Sequence, residues 1–494
     1  MHAVSLVVLV VVAIAAPSAA AATKPYDFDG DGRQELVAGL PDMAVGLPGA
    51  VLVVDGTKRT IITESSAGLP GGSELFDQFG SSIASGDFNG DGFADLAVGS
   101  DEWEQARGVI LGGVTVLYGS ATGLKTTDAQ QFLGTVQTLV EGGESFDVGS
   151  EFGGTLAAGD LNRDGADDLV VGATYEKPNP ESENGSGAIH LLFGGAKGLT
   201  RTGERLLARP HGDDNVFGLV LALGDVDRDG DLDIVEGANG RAYSVDARDF
   251  AGRLSYCAGA AGGPTSCRTV SPRQSNYTGD PGRKREAPAS LAVGDVTGDG
   301  FPDIVEGVPE DRVYESRPPA GAILIRRGTS HGPSKRVLRI TQATRGVPGR
   351  PGPGDAFGET VAVGRIDSDR FADIVVGATG EDRLHGRVTV LRGGPKGVRT
   401  SGAREYGRET RGMPRTGLEF GAALTLLDHN ADRRLDLTVG SRGLDRNGGL
   451  AKGTLVTLFG RRRAPSTTHA IGIDWTDVGV GPRDATGLGS VLGR

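Results

Sequence analysis

Residues Phe79 to Gly99 read FGSSIASGDFNGDGFADLAVG. A Phe-Gly pair opens a short apolar run, an Asp-rich turn carrying Gly92 follows, and a second apolar run ends at Gly99. Short apolar runs bounded by Gly and Asp clusters are strand signals, with the cluster forming the turn between two strands. The pattern returns as FGGTLAAGDLNRDGADDLVVG from Phe152, FGLVLALGDVDRDGDLDIVEG from Phe217 and SLAVGDVTGDGFPDIVEG from Ser290. It returns again as FGETVAVGRIDSDRFADIVVG from Phe357 and FGAALTLLDHNADRRLDLTVG from Phe420, and DFDGDGRQELVAG from Asp27 keeps the turn without the Phe-Gly half. The turns start at Asp27, Asp87, Asp160, Asp225, Asp295, Arg365 and Asp428, in steps of 60, 73, 65, 70, 70 and 63 residues. A period of this length marks a repeat architecture of seven units.

Each unit also offers a β-rich run such as Gly113 to Tyr118 and a fourth strand after it, and no stretch keeps a helical apolar period. Four short strands per unit describe a propeller blade. The spacing therefore predicts an all-β chain: a seven-bladed β-propeller of four-stranded blades. The first unit lacks an inner strand, while Gly487, Leu488, Gly489, Ser490, Val491 and Leu492 match the register of Phe-Gly-Ser-Ser-Ile at Phe79. The C-terminal strand is expected to pair into the first blade and close the ring, which removes open sheet edges.

The Phe-Gly pairs at Phe79, Phe152, Phe217, Phe357 and Phe420, with later turns such as Gly172-Ala173, Gly377-Ala378 and Gly440-Ser441, resemble FG-GAP repeats. Such repeats resemble the N-terminal β-propeller of integrin alpha chains and secreted bacterial proteins of the same type. The resemblance runs from about Tyr26 to the C-terminus, and it implies a ligand face opposite the acidic turns. The fifth unit departs from it, with Ala287-Pro288 in place of Phe-Gly, and the sixth and seventh turns are altered.

In the second unit Asp87, Asn89, Asp91 and Asp95 hold positions 1, 3, 5 and 9 of a loop whose sixth residue is Gly92. Calcium takes six to eight oxygen ligands, and alternating acids followed by a glycine turn fold around such an ion, with the carbonyl of Phe93 at position 7. Asp27, Asp29, Asp31 and Glu35 fill these places in the first loop, Asp160, Asn162, Asp164 and Asp168 in the third, and Asp225, Asp227, Asp229 and Asp233 in the fourth. The fifth keeps Asp295, Asp299 and Asp303 with Thr297 at position 3. The sixth has Arg365 and Arg370, so a guanidinium is expected where the cation would sit; the seventh has Asp428, Asn430, Asp432 and Asp436 but Arg433 for glycine. Calcium is thus expected in four loops and in up to six. The competing reading is a set of Asp-rich turns held only by side-chain to backbone hydrogen bonds. Glu236 and Glu306 sit at the twelfth place, where an EF-hand would carry its bidentate ligand, and are read as strand residues.

With 82 glycines in 494 residues, the chain holds about 17% glycine against a usual level of about 7%, too much for a helical enzyme. A balance of 64 acidic to 51 basic residues argues against nucleic acid as a partner. Val4 to Ala16 is an apolar run followed by Pro17, Ser18 and alanines, so residues 1–22 read as a signal peptide cleaved near Ala20 or Ala22 and residues 23–494 as the propeller. No Lys or Arg precedes Val4. No later run approaches the roughly 20 apolar residues of a membrane helix, so no integral membrane segment is expected after cleavage. In an oxidising compartment Cys257 and Cys267 are expected to form a local disulfide, on an insertion around 240–287 between the fourth and fifth blades.

The seven histidines are scattered, and no catalytic or zinc motif appears. GGAKGLT from Gly194 and GGPKGV from Gly393 lack phosphate-loop spacing and read as turns. The chain reads as a secreted, extracellular, monomeric, calcium-binding module for a protein or glycan. The alternative is a polysaccharide lyase or esterase-type hydrolase, which would need Tyr, His and Arg gathered in one pocket. Trp103, Tyr175, Arg312 and Tyr314, on variable loops, are the candidates for the ligand face.

Overall fold

The computed structural model describes residues 23–41, 49–70, 78–101, 104–105, 109–141, 144–178, 186–208, 216–239, 253–270, 288–311, 319–442, 453–478 and 488–493. Among them stand seven four-stranded antiparallel sheets. In the second blade the inner strand Ser82–Gly86 pairs with Asp95–Ser100, which pairs with Gly113–Tyr118, which pairs with the outer strand Lys125–Leu133. The blades that begin at Phe152, Val216, Ser290, Phe357 and Phe420 repeat this meander. The predicted strand-turn-strand unit is the first half of each blade.

The strands read as continuous apolar runs because both faces of a blade are covered by its neighbours. Asp95–Ser100, Asp168–Ala173 and Asp303–Val308 are buried at every residue. The core lies in the seams between blades: one cluster joins Ala84, Val114 and Val116 of the second blade to Phe152, Leu169 and Val171 of the third. Outer strands differ. Lys125–Leu133 and Lys58–Thr63 are mostly exposed or half-buried, with one buried residue each and charge at the rim, which discourages pairing with other chains.

The repeat's glycines stand where two blades touch backbone to backbone. Phe79, Phe152, Phe217, Phe357 and Phe420 are fully buried. The glycine after Phe152, Gly153, has φ +99°, and a β-carbon on Gly99 of the preceding blade would stand 2.2 Å from its carbonyl oxygen. No side chain fits at Gly99. The same contact identifies the closure, because a β-carbon on Gly440 would stand 2.2 Å from Gly489 O, so Leu488-Gly489 takes the place of Phe-Gly. Val491–Leu492 then pairs antiparallel with Leu36–Leu40, Ala38 opposite Leu492 and Gly39 opposite Val491. Leu488 and Leu492 pack with Ala423 and Leu455 of the seventh blade. The C-terminal strand closes the ring as the register predicts.

Turns between inner and second strands lie on one face, together with those joining third and outer strands. The remaining connections lie on the other. That opposite face carries a two-stranded hairpin, Val136–Glu141 with Glu144–Gly149, and a turn at Glu381–Leu384. The turn is left-handed: Asp382, Arg383 and Leu384 have φ of 54°, 61° and 68°. A channel cavity of about 510 Å³ runs down the middle, lined by inner-strand residues of all seven blades.

Candidate metal centres and the opposite loop face

The acidic loops are tight because their carboxylates accept their own backbone N–H groups. In the second loop Asp87 accepts from Asp91 at 3.0 Å and Gly92 at 2.9 Å, Asn89 from Asp91 at 2.9 Å, and Asp91 from Phe93 at 3.0 Å. The third loop repeats this with Asp160, Asn162 and Asp164. These side-chain to backbone turns curl the first, third and fifth side chains inward. Arg433 takes the glycine's place in the seventh loop at φ 65° and still donates its N–H to Asp428 at 2.8 Å, so the loop keeps its shape.

The ninth residue has a second task. Asp95 accepts the N–H of Phe88 at 2.8 Å and of Gly119 at 2.9 Å, tying the acidic loop to the turn between third and outer strands. Asp168 does the same with Leu161 and Gly194, Asp233 with Val226 and Gly259, and Asp436 with His429 and Gly460. The segments from Gly194 and Gly393 are turns of this kind, Gly393 donating to Asp373. Loops also bond to one another around the ring. Ala94 donates to Asp27 O, Asp167 to Asp87 O, Ala372 to Asp295 O, and Gln34 to Asp428 O across the closure.

Burial dominates the electrostatics. It pushes Asp95 up to about 7, against the pull of the Gly119 and Phe88 N–H groups and with added repulsion from Asp87 and Asp91. Burial likewise carries Glu35 to about 8, Asp168 and Asp436 to about 7, and Asp233, Asp303 and Asp373 to about 6. A cation among these groups would restore their ionised form.

The residues fit a divalent cation most directly in the first and fourth loops. Ligand oxygens of Asp27, Asp29 and Asp31 lie within 4.8 Å of one another, as do those of Asp225, Asp227 and Asp229. Oδ1 of both Asp27 and Asp225 is buried without a hydrogen-bond partner. An unpaired buried oxygen costs about 1–3 kcal/mol, which a coordinated ion removes. In the second and third loops the asparagine amide instead donates to the fifth acid, Asn89 to Asp91 at 3.0 Å and Asn162 to Asp164 at 2.9 Å. The fifth loop forms around Asp295, which accepts N–H groups of Gly298, Asp299 and Gly300, with Asp299 holding Phe301.

In the sixth loop a guanidinium does meet the acids, but from an unexpected residue. Arg392, at the end of the third strand, bonds Asp367 and lies 3.5 Å from Asp369, and Arg399 lies 3.2 Å from Asp369. Arg370 instead lies over the Phe371 ring, so the expectation for Arg365 and Arg370 is corrected. Glu236 and Glu306 are fully buried on second strands, Glu306 paired with the buried Arg326 at 3.4 Å. Asp55, which the repeat pattern does not contain, joins the first centre: its carboxylate lies within 4.8 Å of those of Asp29 and Glu35.

Cys257 and Cys267 are bridged. The bridge lies inside the fourth blade, linking the end of the third strand Arg253–Cys257 to the start of the outer strand Arg268–Thr269. It therefore staples a short outer strand and not an insertion between blades. Of the ligand-face candidates, Tyr175 is half-buried, with its N–H bonded to Ser150 O. Trp103, Arg312, Tyr314 and residues 1–22 lie outside the described residues. The channel lining consists of Ser, Thr, Gly, Ala, Val, Ile and Leu and holds no titratable side chain. Among the described residues no helix is long and apolar enough to cross a membrane.

The profile described as "FG-GAP repeat" matches residues 79–116, 152–192 and 287–325, the last despite its missing Phe-Gly pair. Integrin alpha-IIb of Mus musculus is 31% identical over 220 residues, covering 43% of this chain and 19% of that protein. Integrin alpha-V of Gallus gallus is 29% identical over 223 residues, covering 43% and 19%. Phosphatidylinositol-glycan-specific phospholipase D of Rattus norvegicus is 30% identical over 153 residues, covering 31% and 17%. The chain thus spans about a fifth of the length of the curated relatives it matches. The solved periplasmic gluconolactonase PpgL of Pseudomonas aeruginosa covers 89% of this chain and 98% of its own at TM-score 0.36 and 15% identity, too distant to bear on function. The chain thus carries three FG-GAP repeats within a closed ring of seven four-stranded blades, and its sequence is similar to integrin alpha chains over 43% of its length.

Proposed function

We propose that the chain is a secreted, calcium-stabilised, non-catalytic module that binds an extracellular protein or glycan through the face opposite its acidic turns. The observation that carries this reading is the division of labour between the faces. One face holds seven short turns, four neighbouring pairs of which are joined by backbone hydrogen bonds between loops, with buried unpaired oxygens on Asp27 and Asp225. The other holds the long connections between second and third strands and between blades. Asp27, Asp29, Asp31 and Glu35, Asp225, Asp227, Asp229 and Asp233, and their equivalents in the second, third and fifth loops are the ligands in this reading. Calcium supplies charge that keeps the buried carboxylates ionised, and the chain's own N–H groups hold those carboxylates in place.

The similarity to integrin alpha chains supports a binding role. The hydrolase alternative gains no support from the channel, whose lining offers neither acid nor base. An array of extracellular proteins and glycans, probed with and without calcium, tests the reading. Monomeric protein is expected to bind a defined subset, and Tyr175→Ala or Trp103→Ala to weaken that binding with the fold intact. Turnover of a glycan or ester substrate without retained binding overturns it.

A further inference from the structure

One residue past the last pairing of third strand with second strand, the chain passes beside the ninth acid of the loop; in five blades that residue ends the third strand, and in the fourth and fifth it follows it. In the first blade Leu36 pairs with Val54, which sets Asp55 beside Glu35; in the sixth Ile374 pairs with Leu391, which sets Arg392 beside Asp373. The same place holds Tyr118, Phe193, Ala258, Arg327 and Phe459 in the other blades. Loop motifs do not include this position.

Its reach is visible in the sixth blade, where the Arg392 guanidinium bonds Asp367 and approaches Asp369. There the blade carries its own cation. In the first blade the same place carries the opposite charge. Asp55, Asp29 and Glu35 converge at one wall of a cavity of about 110 Å³, and Asp29 is shared with Asp27 and Asp31. Lys58 is the one cationic side chain along that lining. Five carboxylates therefore form a continuous set, and Oδ1 of Asp27, a residue only 7% exposed, is left without a partner inside it. More ligand charge tightens divalent-cation binding.

We propose that the residue beside the ninth acid at the end of the third strand sets which cation the first and sixth blades use. Arg392 supplies the sixth blade from within, and Asp55 enlarges the first blade's centre into a five-carboxylate divalent-cation site, the tightest of the ring. This inference rests on the calcium reading above. The test is calorimetric titration of the chelated full-length protein with calcium alone, for the parent chain and for Asp55→Asn, Asp55→Glu and Asp55→Arg. Asp55→Asn should weaken the tightest class of sites at least tenfold, and Asp55→Glu, which keeps the charge, should retain it. Asp55→Arg should remove one equivalent of bound calcium and raise the melting temperature in chelator above that of the parent. Parent protein that binds calcium with Asp55→Asn unchanged in affinity and stoichiometry overturns the role of Asp55 alone. Parent protein that binds no calcium overturns the calcium reading as well.

Discussion

The two faces of the ring are built by opposite rules. On the acidic face the same few atoms recur: an N–H of one loop meets the carbonyl of the last at four junctions, and the buried ninth acid of every loop accepts at least one backbone N–H. On the opposite face the blade-to-blade contacts recur too, the N–H groups of Phe152, Phe217, Phe357 and Phe420 each meeting a carbonyl of the preceding blade, but the described connections differ in form. One connection carries a hairpin, another three consecutive left-handed residues without a glycine among them. Regularity serves the ring and irregularity is free to serve a ligand, because a residue that holds two blades together cannot vary without loosening both.

The largest effect expected is on closure, which both faces presuppose. Deleting residues 486–494 removes Leu488 and Leu492 from the seam with the seventh blade and exposes the edge of Leu36–Leu40. Burial of each leucine is worth about 1.5–3 kcal/mol, and the bared edge adds to the loss. The expected outcome is loss of cooperative folding by circular dichroism and calorimetry. A soluble truncation with a single sharp transition would mean that the ring closes elsewhere.

Next in size is the cation dependence of the acidic face. Each occupied site should stabilise the fold by roughly 2.7 kcal/mol at a hundredfold excess of calcium over its dissociation constant. Chelation should thus lower the melting temperature, and Asp225→Asn should cost more than the same change at Asp295. An identical melt in excess chelator would leave the acidic turns as hydrogen-bonded turns only.

A pH titration separates those alternatives further. Ordinary carboxylates ionise near 4, whereas burial holds Asp95, Asp168 and Asp436 near 7 and Asp233, Asp303 and Asp373 near 6. A raised acid pKa in the folded state means that the unfolded chain gains by ionising as pH rises from about 4 to 7, so the chelated protein should be more stable at pH 5 than at pH 7.5. Calcium should flatten or invert that slope, and its affinity should fall between pH 7.5 and 5.5. Thermal melts at both pH values, with and without calcium, give the sign.

The smallest effect is expected on the irregular face. Arg383 sits at φ 61° in the middle of the left-handed turn. A non-glycine residue there costs roughly 1 kcal/mol, so Arg383→Gly should raise the melting temperature slightly. If that face binds the partner, the same change should weaken attachment. Tyr175→Ala should lower binding while moving the melt by less than any change at Asp225.

The blades, their number and their closure were legible because each rests on local sequence: Phe-Gly, the acidic turn, and a tail that copies the Phe79 register. The loop acids were legible for the same reason. Asp55 and Arg392 were not, because nothing near them in the chain resembles a loop; strand register alone carries them to the acids. The guanidinium of the sixth loop was anticipated in kind and misassigned to Arg365 and Arg370, since a linear motif ranks neighbours in sequence above neighbours across a sheet. The cysteine pairing was legible from its spacing, whereas its place inside the fourth blade depended on where the outer strand Arg268–Thr269 begins.

The closing pair of hydrogen-bonded strands is only two residues long on its C-terminal side, and it joins positions more than four hundred residues apart. Contacts that distant in sequence are slow to form. Six blades can mature as the chain leaves the ribosome, but the first must wait for Val491 and Leu492. Until then the edge of Leu36–Leu40 is open to any passing strand. Folding of the whole ring is therefore timed by its last seam, and the same short seam is where a pull on the two ends would first tear it.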